Sequence, residues 1–157
     1  MLKLNLNSIR SVVQNMNLAS ERKLRAAEKA LIEGGLKVKA DAVKITPLDL
    51  SNLRGSAYTL WAGGGAIQSQ FFGEIAARLA SEQGQVLNDK RNRIADSRRR
   101  GTLMVIVGFT AYYALYVHEN VGANFKTPGT QAKYLALPLQ RNATAIKQLV
   151  IAAMRAA

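Results

Sequence analysis

Cysteine is absent from the 157 residues, and His118 is the single histidine. Without cysteine the chain forms no disulfide and no thiolate metal site. One histidine leaves carboxylates to supply nearly all the ligands of any transition-metal site. Carboxylates are scarce as well, because only 10 Asp and Glu stand against 22 Lys and Arg. The sequence therefore predicts no metal site and no other cofactor.

Long hydrophobic runs are also missing. No segment approaches the roughly 18 apolar residues of a membrane-spanning helix. Residues 1–13 lack the continuous apolar core and small-residue cleavage site of a signal peptide. We therefore expect no membrane partner, and a protein made and kept in the cytoplasm unless it is built into an exported particle.

Negative charge is the other deficit, and it leaves a net charge of +12. A chain this basic is drawn to polyanions, which include nucleic acid, acidic protein surfaces and anionic lipid. Net charge alone does not separate such a partner from a soluble protein that is simply basic.

The length of the chain predicts one domain, 1–157. Residues 1–16 alternate loosely and predict an N-terminal arm or an edge strand. Residues 20–45 predict a long helix that ends at Thr46-Pro47, since a residue before proline is pushed into extended geometry. Gly34-Gly35 predicts a kink or a close approach to a neighbour. The helix carries an apolar residue every seven positions, at Leu24, Leu31, Val38 and Ile45.

A half-buried strand over residues 57–62 and a long basic segment follow. The glycines at 63–65 predict a hinge, and residues 63–100 predict an extended, mobile, basic loop with a short helix near residues 72–80. Its basic arm holds six cations, Lys90, Arg91, Arg93, Arg98, Arg99 and Arg100. The arm fits an acidic partner or DNA about as well as it fits a solvated loop.

The densest run of strand-forming side chains lies at residues 103–109 and predicts a strand buried on both faces or in a subunit contact. Beyond it, apolar and aromatic residues recur at three and four positions over 113–120, as in a short helix. Residues 133–137 predict a short extended segment, and residues 139–155 a last helix beside the first. The fold class is therefore α+β, a small antiparallel-type sheet flanked by a long N-terminal and a C-terminal helix.

Catalytic patterns are weak. His118 and Glu119 are adjacent, but no second histidine follows at the zinc-protease spacing, and no serine lies in a GxSxG turn. We predict no enzyme. A hydrolase whose triad residues are distant in the chain is a third hypothesis, and the activity of His118→Ala would test it.

Three short motifs, taken in order, carry a family resemblance from about Ala26 to the C-terminus. They are Thr46-Pro47-x-Asp49-x-x-x-Leu53-Arg54-x-Ser56, then Tyr113-Ala114-x-Tyr116-Val117-His118-Glu119, then Ala132-Lys133-Tyr134-Leu135. Together with the helix before them, the strands between them and the helix after them, they resemble the tail-completion, neck and minor-tail proteins that join head and tail in long-tailed bacteriophages.

The resemblance implies a non-enzymatic virion subunit in a cyclic homo-oligomer, six-fold by preference and twelve-fold as the alternative. Its neighbours would be connector, portal-side and tail-tube proteins, with DNA in the channel as a further candidate partner. Assembly would take place in the host cytoplasm. The residues expected at interfaces are Leu53, Arg54, Trp61, Tyr112, Tyr113, Tyr116, His118 and Glu119.

The runner-up hypothesis is a free nucleic-acid-binding protein that uses helix 20–45 and the arginine-rich arm at 90–100. Strongly salt-dependent DNA affinity would distinguish it from a connector. Docking of the arm on protein is slightly favoured, because no aromatic residues lie between its cations to stack on bases.

Overall fold

The computed structural model describes residues 6–48, 52–63, 66–71 and 84–157. These residues form five helices and three strands. The helices are α1 (Leu6–Ile45), α2 (Asn52–Gly55), α3 (Gly84–Arg99), α4 (Ala114–Glu119) and α5 (Ala136–Ala156), and the strands are β1 (Ala57–Gly63), β2 (Ala66–Phe71) and β3 (Val105–Phe109). The α+β class is confirmed, with the small antiparallel sheet flanked by the two long helices.

Helix α1 is longer than predicted. Residues 6–16, expected as an arm or an edge strand, are its first turns, which corrects that prediction. The physical reason is that no glycine or proline interrupts the chain before Gly34, so the helix propagates through residues of adequate propensity. Residues 1–5 lie outside the described part of the chain. The helix ends at Ile45 as predicted, and the Thr46 hydroxyl donates to the Ala42 carbonyl at 2.7 Å.

Gly34 and Gly35 mark close approaches within a continuous helix. A Cβ on Gly35 would lie 2.6 Å from Cγ1 of Val105, and one on Gly34 would lie 2.8 Å from Cγ2 of Ile146. The two glycines therefore allow α1 to pack tightly against β3 on one side and against α5 on the other. Of the two predicted alternatives, the close approach is confirmed.

The sheet has the order β2-β1-β3, with both pairs antiparallel. Its centre is β1, whose first four residues are all buried. Strand β3 was expected to be buried on both faces or in a subunit contact. Among the described residues it is an edge strand, and four of its five residues are only half-buried, which rules out the first alternative. The long apolar run did mark a strand, but position in the sheet leaves one side of that strand uncovered.

Helices cover both faces of the sheet. Tyr58, Leu60 and Ala62 of β1 point toward α3 and form a core cluster with its Leu87 and Ile94. Thr59 and Val105 point to the opposite face, where α1 lies against them. Helix α5 packs along α1.

The extended basic loop predicted for 63–100 is wrong for its described residues. Residues 66–71 form β2, paired with β1 from Gly63↔Ala66 to Tyr58↔Phe71, and residues 84–99 form α3. Leu87 and Ile94 are two helical turns apart and both are 1% exposed. Their burial against β1 holds this charged segment as a helix. The helix expected near 72–80 lies outside the described residues.

The segment 133–137 is not extended, which corrects a further prediction. Lys133 has a φ of 55° and α5 begins at Ala136, so Pro138 lies in the first turn of the helix. Proline is tolerated there because the first N–H groups of a helix have no intrahelical partner.

Candidate subunit interface

Helix α4 has an inner face that joins the core. Ala114 is buried and Val117 is half-buried, and both pack in a cluster with Leu53 and Tyr134. Residues 114 and 117 are three positions apart and therefore share one side of the helix. This burial fixes the orientation of α4, and its other side faces outward.

The outer side of α4 and the turns at its two ends carry exposed side chains, which we define as the aromatic patch: Tyr112, Leu115, Tyr116 and Val121. Tyr112 is 89% exposed, and the other three are 72–73% exposed. Residues 112, 115 and 116 have three- and four-residue spacing, so they lie on the same side of the turn and helix. Scattered apolar side chains on a surface are ordinary, whereas a group of exposed apolar and aromatic side chains is a candidate interaction site.

Tyr134 holds α4 from its core side. It is 1% exposed, and its hydroxyl donates to the Ala114 carbonyl at 2.6 Å. Its ring makes edge contacts with Phe109 and His118, at centroid distances of 5.0 and 5.1 Å. Burial raises the pKa of Tyr134 well above its ordinary value, so the hydroxyl remains a neutral donor.

His118 links α4 to the start of α5. The Ala136 N–H donates to His118 Nε2 at 3.3 Å, which makes Nε2 the acceptor nitrogen. Nδ1 then carries the proton and donates to Glu119 Oε1 at 2.8 Å. Both ring nitrogens therefore have partners within the fold, which is the pattern of a positioning residue.

Lys133 completes this link. Its backbone N–H donates to the His118 carbonyl at 2.8 Å, and its ammonium group bonds to Glu119. The hydrogen bonds from Lys133 and then from His118 hold the pKa of Glu119 below its ordinary value. These bonds also help to hold Lys133 in the left-handed backbone region that lysine rarely adopts.

We call the region where α4, the end of α1 and the start of α5 meet the corner. Leu53 and Arg54 lie on its core side. Leu53 is 1% exposed and belongs to the core, so it is not available to a partner, contrary to its prediction as an interface residue. Arg54 Nε donates to the Thr46 carbonyl at 2.8 Å, and its Nη2 to the Lys44 carbonyl at 3.4 Å. These carbonyls lie at the C-terminal end of α1, where backbone acceptors lack helical partners.

Trp61 lies away from the aromatic patch, and Tyr113 lies beside the patch but faces the core. Trp61 pairs with Val105, at the end of β3 farthest from α4, and lines a cleft of about 320 Å³ against α1. Tyr113 is half-buried and packs inward against the Leu53 cluster, with an edge contact of 5.1 Å to Tyr112. Of the residues expected at interfaces, Tyr112 and Tyr116 are the two that lie in the patch.

The six cations of the predicted basic arm lie on α3 and just beyond its end, instead of on an extended arm. Lys90 and Arg93 line a cleft of about 560 Å³, whereas Arg98 lines the cleft of about 320 Å³. The Arg99 guanidinium lies 3.2 Å from the Asp96 carboxylate. Arg91 bonds to Asn88 and Arg100 to the Asp96 carbonyl. The charges are therefore distributed around a helix.

Four residues of this corner were missed as site residues by reasoning from the sequence. Leu115 and Val121 belong to the patch, and the three-residue spacing from Tyr112 was an available signal for Leu115. Tyr134 and Lys133 act through tertiary contacts with α4, which lies 14 to 20 positions earlier in the chain. No local pattern encodes those contacts.

Within the described ranges, no three His, Asp or Glu side chains are grouped so that they could hold a metal ion. No helix among those ranges is both long and apolar enough to cross a membrane. The chain matches no protein-family model, and neither the curated proteins nor the solved structures gave a significant match. The family resemblance of the three motifs therefore stays a prediction.

Proposed function

We propose that this protein is a structural, non-enzymatic virion subunit of a phage head–tail connector, in the neck or at the tail-completion position. The observation that carries the proposal is the aromatic patch. Its exposed Tyr116 lies on α4 and Tyr112 on the turn before it, and Tyr134 and His118 fix α4 from inside. Exposed tyrosines on a rigid support provide contact area at small entropic cost.

The arrangement of the three motifs also supports the proposal. Arg54 bonds to Thr46 within the first motif, and Tyr134 of the third bonds to Ala114 of the second. The Gln131 N–H donates to the Ile45 carbonyl at 3.0 Å, which joins the third region to the end of α1. Motifs that are far apart in the chain therefore build one corner beneath the patch. Asp49 of the first motif lies outside the described residues.

A cyclic ring fits this one-sided surface. In a ring, each subunit presents one surface to a different surface of the next copy, so a single aromatic patch suffices for each contact. Six-fold symmetry is the preferred proposal and twelve-fold the alternative. Connector, portal-side and tail-tube proteins would lie above and below, with DNA in the channel as a further candidate.

The experiment is light scattering on the purified 17.1 kDa chain, compared with a variant that carries Tyr112→Ser and Tyr116→Ser. We expect a closed ring for the wild type and a monomer for the variant. The control is Leu149→Ser on α5, a residue that is 41% exposed and outside the patch. A wild-type monomer, or a ring that survives the double change, would contradict the proposal.

The cluster of three arginines at the C-terminal end of α3 favours a second candidate function, nucleic-acid binding. Arg98, Arg99 and Arg100 are all exposed near the end of this helix. In this case the chain would bind DNA with an affinity that falls steeply as the salt concentration rises. Replacing the three arginines by glutamine would reduce the slope of log affinity against log salt concentration by roughly 3. A wild-type ring with salt-insensitive, weak DNA binding would exclude it.

A further inference from the structure

The two edges of the sheet differ in how they are protected. At the β2 edge, Lys39 reaches across from α1, and its ammonium group donates to the Gln70 carbonyl at 3.3 Å and to the Gln70 side chain at 2.8 Å. Lysine at a sheet edge discourages the addition of another strand. In the described part of the chain, no comparable group lies along the β3 edge.

The backbone of β3 has donors and acceptors that point away from the sheet. The Thr110 N–H donates to the Ser56 carbonyl at 2.9 Å, which marks these two residues as a hydrogen-bonded pair. Hydrogen-bonded pairs alternate along an antiparallel ladder, so the backbone groups of the alternate residues Val105, Val107 and Phe109 face outward. No fourth strand in the described ranges meets them.

These outward groups lie along a trough between the two helical layers, which we call the β3 trough. Its floor is the segment 104–107, and its volume is about 560 Å³. A second cleft of about 400 Å³ continues it along Gly108 and Phe109 as far as Leu115 of the aromatic patch. The trough therefore runs beside the whole of β3.

The walls of the trough differ in chemistry. One wall comes from α1 and α5 and is apolar, with Val38, Leu139, Ala143 and Ile146 among its residues. The α3 wall carries Lys90 and Arg93, and no acidic side chain lines this cleft in the described structure. Glu119 lines the continuing cleft, where its carboxylate is bonded to Lys133. Since successive side chains of a strand point to opposite faces, a strand added here would present alternate residues to the two walls.

We propose that the β3 trough binds an extended segment of an acidic partner protein, in which apolar residues alternate with Asp or Glu. The backbone of this segment would pair with Val105, Val107 and Phe109 as a fourth strand. Its apolar residues would face α5, and its carboxylates would face Lys90 and Arg93. A second copy of this chain would bring another +12 of charge and is the poorer occupant. The trough is complete in one subunit and does not require a ring.

The first test uses fluorescence anisotropy with a labelled twelve-residue peptide of alternating valine and glutamate. The matched probes replace glutamate by lysine, or place one proline at the centre. We expect the acidic peptide to bind at least about tenfold more tightly than the lysine peptide, and more weakly as salt rises. The proline peptide should bind more weakly because it lacks a backbone donor. Equal binding of the acidic and lysine peptides, or no binding of either, would overturn the proposal.

Variants of the protein locate the binding. Ala143→Arg places a long side chain in the trough from an exposed helix position and should abolish binding. The double change Lys90→Glu and Arg93→Glu should reverse the preference toward the lysine peptide. The control is Lys147→Glu with Arg155→Glu, which alters charge equally on the exposed side of α5, and circular dichroism checks that each variant is folded.

Two outcomes with these variants would refute the partner assignment. In the first, the Ala143→Arg variant and the Lys90→Glu, Arg93→Glu variant are both folded, and each still binds the acidic peptide. In the second, the wild-type protein self-associates, and Ala143→Arg makes it monomeric while the changes at Tyr112 and Tyr116 do not. This result would assign the trough to a second copy. Loss of the ring on changing Tyr112 and Tyr116 would leave peptide binding unaltered, so the two proposals fail separately.

Discussion

Strands β1 and β3 lie side by side, yet their burial is the reverse of what their sequences suggest. The β3 segment VIVGF is the more apolar, but four of its five residues are half-buried. The β1 segment AYTLWAG contains Thr59, and nevertheless its first four residues are all buried. Strand β1 has a neighbour on each side and a helical layer on each face, whereas β3 pairs with one strand in the described part of the chain. Position in the sheet decides burial here, more than hydrophobicity does.

The difference also bears on function. An edge strand that makes no contact outside its own subunit can carry polar side chains along its exposed edge, as natural edge strands commonly do. Strand β3 keeps valine and isoleucine there and opens into the β3 trough. We infer that this apolar surface contributes to a contact outside the subunit, and the following predictions test the contrast between the two strands.

The largest effect should come from opposite residues of the two strands. Leu60 of β1 is 0% exposed and pairs with the half-buried Ile106 of β3. We expect Leu60→Ala to lower the free energy of unfolding by about 3 kcal/mol and Ile106→Ala by about half as much, because only the first leaves an enclosed cavity. Urea unfolding of both variants measures this difference. Equal losses would show that β3 is as central to the core as β1.

The packing of α1 against β3 should give an intermediate effect. In Gly35→Ala the new methyl group meets Val105, and the clash outweighs the gain in helix propensity. We expect a net loss of about 1.5 kcal/mol in unfolding free energy. Adding Val105→Ala should recover part of that loss, so the double variant is more stable than the sum of the two single changes.

Gly122→Ala is the control for this comparison, since a Cβ there has no neighbour within 4 Å. Additive losses from Gly35→Ala and Val105→Ala would indicate that α1 and β3 are not in tight contact. Chemical denaturation of the two single variants, the double variant and the control provides the necessary set.

The smallest effect concerns the polar group in the centre of the sheet. Thr59 is 0% exposed, and its hydroxyl has no hydrogen-bond partner among the described residues. We expect Thr59→Val to raise the melting temperature, with a gain of about 1 kcal/mol from removing the unsatisfied group. The reverse change on its β3 partner, Val107→Thr, should be nearly neutral because the edge admits water. A melting temperature lowered by Thr59→Val would reveal a partner for that hydroxyl.

Helix α3 shows where prediction from the sequence failed. The charged run at 88–100 suggested a mobile loop, because its many cations repel one another when unpaired. The helical signal consisted of Leu87 and Ile94, two apolar residues separated by two turns, with Ser97 also buried. Two apolar residues are too few for a local pattern to predict a helix when the charged run around them predicts a loop. The signal becomes decisive only when β1 supplies the apolar surface on which both residues pack.

The corner around α4 shows the opposite case. The spacing of its aromatic residues predicted a short helix, and α4 is present at residues 114–119. The family resemblance placed Tyr112 and Tyr116 among the interface residues, and both side chains are exposed. The resemblance could not separate Leu53, which is buried, from the interface residues, because burial depends on Tyr134 and on elements distant in the chain.

By itself the sequence determined the α+β class, the long helix ending before Pro47, the strand at 57–62 and the helical period after Phe109. Those features follow from local periodicity and from backbone restrictions that act within a few residues. Only the tertiary structure decided that β1 is central, that α3 is a helix and that Lys133 adopts a left-handed conformation. Each of these depends on contacts between residues far apart in the chain, and such contacts override local preference when they bury apolar surface or satisfy a polar group.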